Sequence, residues 1–370
     1  MHGGAAQVLD TRTLNRALLD RQLLLRRSDL SPLAAIEHLV GLQAQAPNPP
    51  YIGLWTRLAD FRHEDLSQLI TDRRAVRIAL MRCTIHLVSA DDCLRLRPLL
   101  QAAIERAMAG QFGRQTSGID PGEIADVARQ LLQERPLTFA ELGKAMSEHW
   151  PHRDPAALAQ SARCLLPLVQ VPPRGLWGVS GQAAHTTAQT WLGRPLRDVP
   201  QPDDTVLRYL AAFGPASVKD LQKWSGLTRL GEVVTRLHPK LRRYRDQTGT
   251  ELFDLVGAAP LPDADTEVPV RFLPEYDNIL LSHADRTRIM DEAHRPAVFT
   301  NNGIIRSTIL VDGFVRGLWR ITRERTSATL EIEPFSRLAT ADIEALTQEG
   351  ARLLAFAAAD SDTREVVLSQ

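Results

Sequence analysis

Gln43 and Gln45 flank a single alanine, and Pro47 follows two residues on. A carboxamide is neither acid nor base near neutral pH, so this pair cannot trade protons as two carboxylates do. It can hold and orient a water, and it can point its dipoles at positive charge developing on a reacting carbon. Such a site is adequate only where the leaving group already departs easily. The plainer role for the same pair is to satisfy the free carbonyls of a helix end. A lyase step needs an amine nucleophile. The four lysines, Lys144, Lys219, Lys223 and Lys240, are all far from the pair in sequence, so no lyase step is expected. Cys83, Cys93 and Cys164 are odd in number and lack paired spacing. Neither a disulfide frame nor a zinc site is expected, and the three read as buried thiols. No cofactor and no metal are implied.

The element that must position the pair starts at Ser31-Pro32, where Ser suits a helix N-cap and Pro the first helical position. Its apolar stripe runs Leu33, Ile36, Leu39, Val40, the three-four spacing of a buried helical face. Continued by one more step, the stripe lands on Gln43. Burying an amide without partners costs about 1–3 kcal/mol, so Gln43 should be bonded to something. Two residues apart on a helix is roughly 200° around the axis, so the amides converge only if the backbone leaves the helix between them. Pro47 disfavours helical geometry at Ala46, and Pro49-Pro50 should block a restart. The expectation is two amides side by side where a helix ends.

Turn and proline signals divide the chain near 1–118, 119–201, 202–258 and 259–370. The first part reads as helices at 13–27, from Ser31, and at 63–73. Strands follow at 76–81 and 84–88, and a further helix is capped by Ser89. The second reads as helices at 123–134, 139–150 and 155–166, then a strand pair at 169–171 and 176–179. The third reads as helices at 204–213, 218–225 and 230–237, then strands at 241–245 and 251–255. Helix, turn, helix, helix, hairpin is the order of a winged helix. It occurs twice, with Arg135-Pro136-Leu137-Thr138 and Gly214-Pro215-Ala216-Ser217 at matching turns, and the first part reads as a more decorated copy. The last part is strand-rich, at 268–272, 304–311, 314–321 and 329–333, with a closing helix over 340–358. Its Asp312-Gly313 is a strong two-residue hairpin signal; the hairpin either covers a core or is an arm placed against a DNA groove, and the arm is the candidate for probing the groove. The fold class is α+β: three tandem winged helices and a small β-rich C-terminal domain.

A hydrophobic share of 44% and a charged share of 24% are ordinary for a globular chain. No apolar run suggests a membrane span, and no signal peptide opens the chain, so a cytoplasmic protein is expected. Net charge is zero, yet 40 of the 44 basic residues are Arg. They cluster at Arg21/Arg26/Arg27, Arg73/Arg74/Arg77/Arg82, Lys240/Arg242/Arg243/Arg245 and Arg316/Arg320/Arg323/Arg325. Segregated basic surface can hold phosphates even in a neutral protein; solvated helix faces are the simpler account of such clusters.

Several motifs together resemble the AlkZ/YcaQ family of winged-helix DNA glycosylases over nearly the whole chain. They are Leu42-Gln43-Ala44-Gln45-Ala46-Pro47 with Trp55, Arg82-Cys83-Thr84-Ile85-His86-Leu87-Val88, Phe213-Gly214-Pro215-Ala216 and Leu273-Pro274-Glu275-Tyr276-Asp277. His283-Ala284-Asp285-Arg286, Gly303-Ile304-Ile305-Arg306 and Val311-Asp312-Gly313 complete the set. Glutamine at both motif positions, where another branch has Asp at the second, resembles the azinomycin-resistance branch. The resemblance implies a C-shaped body around a DNA channel and base excision from alkylated or crosslinked double-stranded DNA. It makes Gln43 and Gln45 the catalytic pair. Chemistry agrees, because an N7-alkylguanine already carries a positive charge and departs as a neutral base. His86 is then either a core histidine bonded to backbone or a contact behind the pair. Tyr276 and Asp277 either brace a domain junction or shape the site wall. Arg82, Arg306, Arg316 and Arg320 are the expected DNA contacts, and a channel enclosing DNA suggests a monomer. The rival readings are a non-enzymatic winged-helix regulator or architectural DNA binder, and a protein-interaction scaffold.

Overall fold

The computed structural model describes residues 6–198 and 201–369. Helix starts lie where the capping residues put them. Asp10, Ser31, Ser89, Asp120, Thr138, Asp154 and Ser217 each accept a backbone N–H from the first turn of the helix that follows. Those donors have no partner within their own helix. Thr138 with Glu141 and Ser217 with Asp220 form reciprocal capping boxes, which fix the two matching turns. Helices Pro121–Glu134, Phe139–Met146 and Pro155–Leu165 make up the second part. Helices Asp203–Phe213, Val218–Ser225 and Leu230–Leu237 lead into the antiparallel strands Leu241–Asp246 and Glu251–Leu255 of the third.

The sheets cross these parts. One sheet of six strands runs in the order Leu42–Gln43, Ile85–Ser89, Ala75–Ala79, Leu168–Val171, Ala184–Thr187, Leu137–Thr138. Its joint is the pairing of Arg77 with Gln170 and Ile78 with Val169. Gln7–Leu9 lies parallel to Tyr244–Asp246, so the start of the chain completes the sheet of the third part. Five strands, Arg271–Leu273, Thr308–Val311, Phe314–Arg323, Ser327–Pro334 and Thr363–Leu368, form the C-terminal sheet in that order, with helix Thr340–Ala357 packed on it. One apolar core draws on the first, third and last parts together, from Leu18 and Val40 through Tyr209 and Phe213 to Leu310.

Two expectations fail here. Leu168–Val171 pairs with Ala184–Thr187, not with 176–179. The apolar residues at 176–177 dock the intervening loop instead. Tyr51 Oη donates to the Gly175 carbonyl at 2.9 Å, and the Trp177 ring lies 4.1 Å from that of His63. The Asp312-Gly313 turn is not a free arm. Asp312 is paired with Arg12 at 2.6 Å and with Arg16, and Asn15 Nδ2 donates to the Gly313 carbonyl at 2.8 Å. A Cβ on Gly313 would clash with Asn15 Oδ1. The turn is therefore clamped on helix Thr11–Arg21. The final strand, Thr363–Leu368, was not expected, because its charged residues at an edge give no apolar alternation.

Buried imidazoles give this fold an acid limit. His185 stacks on Phe139 with ring centroids 3.9 Å apart, and both its ring nitrogens are buried without a partner among the described residues. Burial pushes its pKa from 6.5 down to about 4. The unfolded chain thus takes up the proton first. Stability is complete above pH 6.5 and is lost as pH falls toward 4, by roughly 3 kcal/mol at most from this group. Burial moves His86 and His283 in the same direction. Denaturant titrations between pH 7 and 4 should show this decline, and His185→Leu should flatten it. An equal slope in the variant would contradict the assignment.

Candidate active site

Gln43 reaches its place by a route the helical stripe does not describe. Helix Pro32–His38 ends five residues before Gln43, where the stripe was expected to reach. Val40 and Gly41 take left-handed φ values of 55° and 92°, and the chain turns into the strand Leu42–Gln43. Only glycine fits at 41, since a Cβ there would lie 2.6 Å from Val88 Cγ1. Gln43 pairs antiparallel with His86. The pair of amides thus sits at the end of a strand, not of a helix. Pro49 and Pro50 do not block a restart; they open the next helix, Pro49–Trp55, where a fixed φ suits the first turn. Gln43 is buried, with 7% exposure, whereas Gln45 is exposed.

The strand and its extension are fixed from several sides. The buried side chain of Asn278 replaces a neighbouring strand: Oδ1 accepts the Gln43 N–H at 3.4 Å, and Nδ2 donates to the Gly41 carbonyl at 2.7 Å. Arg77 donates to the carbonyls of Ala44 at 2.8 Å and Ala46 at 3.3 Å. The Ala44 N–H bonds the Ile85 carbonyl at 2.7 Å. Arg77 also leaves no room at Gly175, where a Cβ would fall 2.7 Å from Arg77 Cδ. Neither Asn278 nor Arg77 stood out as a site residue in the sequence. Their partners are backbone atoms far away in the chain, and no residue pattern marks such a bond.

The amide faces are set as well. Arg82 Nη2 donates to Gln43 Oε1 at 2.8 Å, and the Ile85 N–H donates to Gln45 Oε1 at 3.3 Å. One lone pair of each oxygen is used, leaving the second lone pair and the two amide N–H donors of each glutamine. His86 lies beside Gln43 on the same face of the sheet. Its Nδ1 donates to the Thr84 carbonyl at 2.9 Å, so Nε2 is the bare nitrogen. Burial, with the Arg82 charge nearby, holds its pKa down at about 3, and the ring is neutral at physiological pH. Arg82 is not turned toward open surface: its Nη1 donates to the Trp224 carbonyl at 2.7 Å. That bond brings helix Val218–Ser225, with the exposed Lys223, up to the site. Distance in sequence therefore does not separate Lys223 from the pair.

Asp277 is a brace. It forms two 2.8 Å bonds to the fully buried Arg57 and accepts the Ile279 N–H at 3.2 Å. Arg57 also donates to the Gly53 carbonyl at 3.0 Å, which ties helix Pro49–Trp55 to the turn carrying Asn278. Tyr276 forms the corner before it, with φ 61° and its N–H on the Ile305 carbonyl at 3.2 Å.

A model of the family described as DNA glycosylase AlkZ-like matches residues 36–356. The chain belongs to that family. A relative from Streptomyces sahachiroi, an interstrand DNA cross-link repair glycosylase, is 24% identical over 362 residues, covering 90% of this chain and 93% of that protein. The solved structure of the S. sahachiroi DNA glycosylase AlkZ superposes with a TM-score of 0.79 at 20% identity, covering 98% of this chain and all of that one. The shared fold spans all four parts.

Among these AlkZ-like features, the remaining expected DNA contacts lie apart from the glutamines. Arg306 and Arg320 line a 580 Å³ cavity on the C-terminal sheet together with Glu275, Glu331 and Glu333, and Arg320 is paired with Glu331 at 2.5 Å. Arg316 lines a different cavity, beside Asp291 and Glu292. Among the described residues no helix is long and apolar enough to cross a membrane. The Arg57–Asp277 pair gives a direct test of the brace. Asp277→Ala strands a buried guanidinium and should destabilise the fold by about 3–5 kcal/mol in urea titrations, whereas replacing both residues with apolar ones should recover much of that. A loss below about 1 kcal/mol for the single variant would remove the brace from the account.

Proposed function

We propose that the chain is a monofunctional DNA glycosylase that hydrolyses the N-glycosidic bond of cationic N7-alkylpurines in double-stranded DNA and unhooks azinomycin-type interstrand crosslinks. The observation that carries this reading is the pair of fixed amides, Gln43 and Gln45, at the end of a braced strand in an AlkZ-like chain. The name of the S. sahachiroi relative, an interstrand cross-link repair glycosylase, supports the crosslink part. A regulator that only binds DNA would have no use for an amide held by a buried arginine.

In this reading the bond between the sugar C1′ and the purine N9 breaks, and its electron pair neutralises the charge on the alkylated ring. A water oxygen bonds to C1′, and its proton passes to solvent. The products are a free base and an abasic site. The amides accept no proton. They hold the water in place and put oxygen dipoles near the oxocarbenium-like sugar. The four parts act as three winged helices, at 1–118, 119–201 and 202–258, and a β-rich unit at 259–370, around a DNA channel. The helix order and capping boxes support the second and third of these. Arg306 and Arg316, both exposed, are proposed as phosphate contacts.

Gln43→Ala and Gln45→Ala should each lower single-turnover release of N7-methylguanine by about 10²–10³-fold while affinity for the lesion DNA survives. Abasic-site cleavage on heating is the readout, and unchanged excision in either variant sinks the assignment. Borohydride should trap no covalent adduct with abasic DNA; a trapped adduct abolished by Lys223→Ala would make the enzyme a lyase as well.

A further inference from the structure

Arg82 sits in the single turn Met81–Cys83 that joins the strands Ala75–Ala79 and Ile85–Ser89. Arg82 and Cys83 both take left-handed φ values, 56° and 57°. Non-glycine residues held there cost about 1–3 kcal/mol each and persist only where their surroundings fix them. The turn aims the guanidinium inward. There it meets two neutral acceptors, Gln43 Oε1 at 2.8 Å and the Trp224 carbonyl at 2.7 Å, and no carboxylate pairs with it among the described residues. A guanidinium has donors only. The amide atom facing it must therefore be the oxygen, which fixes Nε2 on the opposite side. Without that donor, the two ends of a carboxamide are nearly equal in shape and the group can turn over.

We propose that Arg82 is a positioning residue: it acts through Gln43, setting which face of the amide meets the substrate, and is not primarily a phosphate contact. The Trp224 carbonyl, near the C-terminal end of helix Val218–Ser225, anchors the guanidinium from the third part of the chain. Gln45 needs no such device, because a backbone N–H already holds its oxygen. The inference rests on the glycosylase reading for its consequence, though not for its geometry.

The test has two arms. In the full-length protein without DNA, the side-chain amide signal of Gln43 in a ¹⁵N spectrum is assigned by its loss in Gln43→Ala. It should shift or broaden in Arg82→Ala. With N7-methylguanine DNA, Arg82→Ala should lose about 100-fold in single-turnover rate, with Kd changed by less than about threefold. Arg82→Lys should restore part of the rate, and adding Arg82→Ala to Gln43→Ala should cost nothing further. Should Arg82→Ala not fold, Arg82→Lys carries both arms, with an intermediate loss expected. An unmoved Gln43 amide overturns the proposal. So does a loss confined to Kd with the salt slope reduced by about one, which would mark a phosphate contact. If the wild-type protein releases no base while the Gln43 amide moves in the variant, the reaction assignment fails and the positioning role stands.

Discussion

A backbone polar group buried without a partner costs about 1–3 kcal/mol, and among the described residues the short strand Leu42–Gln43 has one sheet neighbour. Its outer edge would be left open. Asn278 closes that edge, Arg77 takes the carbonyls that follow, and Arg82 takes the side-chain oxygen of Gln43. These three residues come from the C-terminal part, the central strand of the six-stranded sheet and the turn beside it. The location of the amide pair is thus a product of the whole assembly. The Arg57–Asp277 pair extends the same logic one step outward, because it holds the turn on which Asn278 sits.

That use of arginine is general in the chain. Arg16, Arg57, Arg77 and Arg97 are among the largest fully buried side chains. Arg97 donates to the Cys164 carbonyl at 2.8 Å, Arg271 to Leu24 at 2.9 Å and Arg288 to Pro215 at 2.8 Å. Each bond joins residues more than sixty positions apart. A rigid planar fork with five donors, more weakly hydrated than an ammonium, can serve several carbonyls in fixed directions at less cost of burial than a lysine. The 40 arginines and four lysines are therefore in good part a consequence of how the parts are joined; the Lys240/Arg242/Arg243/Arg245 and Arg316/Arg320/Arg323/Arg325 clusters stay exposed, whereas the cluster at Arg73/Arg74/Arg77/Arg82 is partly drawn into the structure. Arg77 is buried, Arg82 is bonded to Gln43, and Arg73 stacks on Trp191 at 4.1 Å.

Local signals were readable because they are local. Caps at Ser31, Ser89, Thr138 and Ser217 and the helices after them needed only a few neighbouring residues, and the motifs around Gln43 and Asp277 carried the family. What sequence could not supply depends on contacts across the chain. The apolar stripe continues past His38 in sequence, and nothing nearby shows that Val88 packs where a Gly41 Cβ would be. Asp312-Gly313 reads as a hairpin, and it is one, but its docking on Asn15 and Arg16 is invisible from either segment alone. The helical period that points to a buried Gln43 does not extend that far. The residue is buried all the same, as part of a strand.

The amides also decide what the site cannot do. Gln43 and Gln45 do not titrate, and His86, whose Nδ1 donates to a carbonyl and whose pKa is near 3, stays neutral. Arg82 is held down to about 10 by burial and by nearby Arg286, and remains charged at neutral pH. No group bonded to the pair therefore changes charge around neutrality, and none can hand a proton to a departing base. In the proposed reaction, the driving force for bond cleavage therefore has to be present in the substrate before it binds. A ring already made cationic by alkylation meets that condition, and an unmodified purine does not. Under the proposed mechanism, selectivity of this kind requires no pocket that recognises the alkyl group, so a bulky crosslink and a single methyl would be equivalent to the chemistry and differ only in how they are admitted.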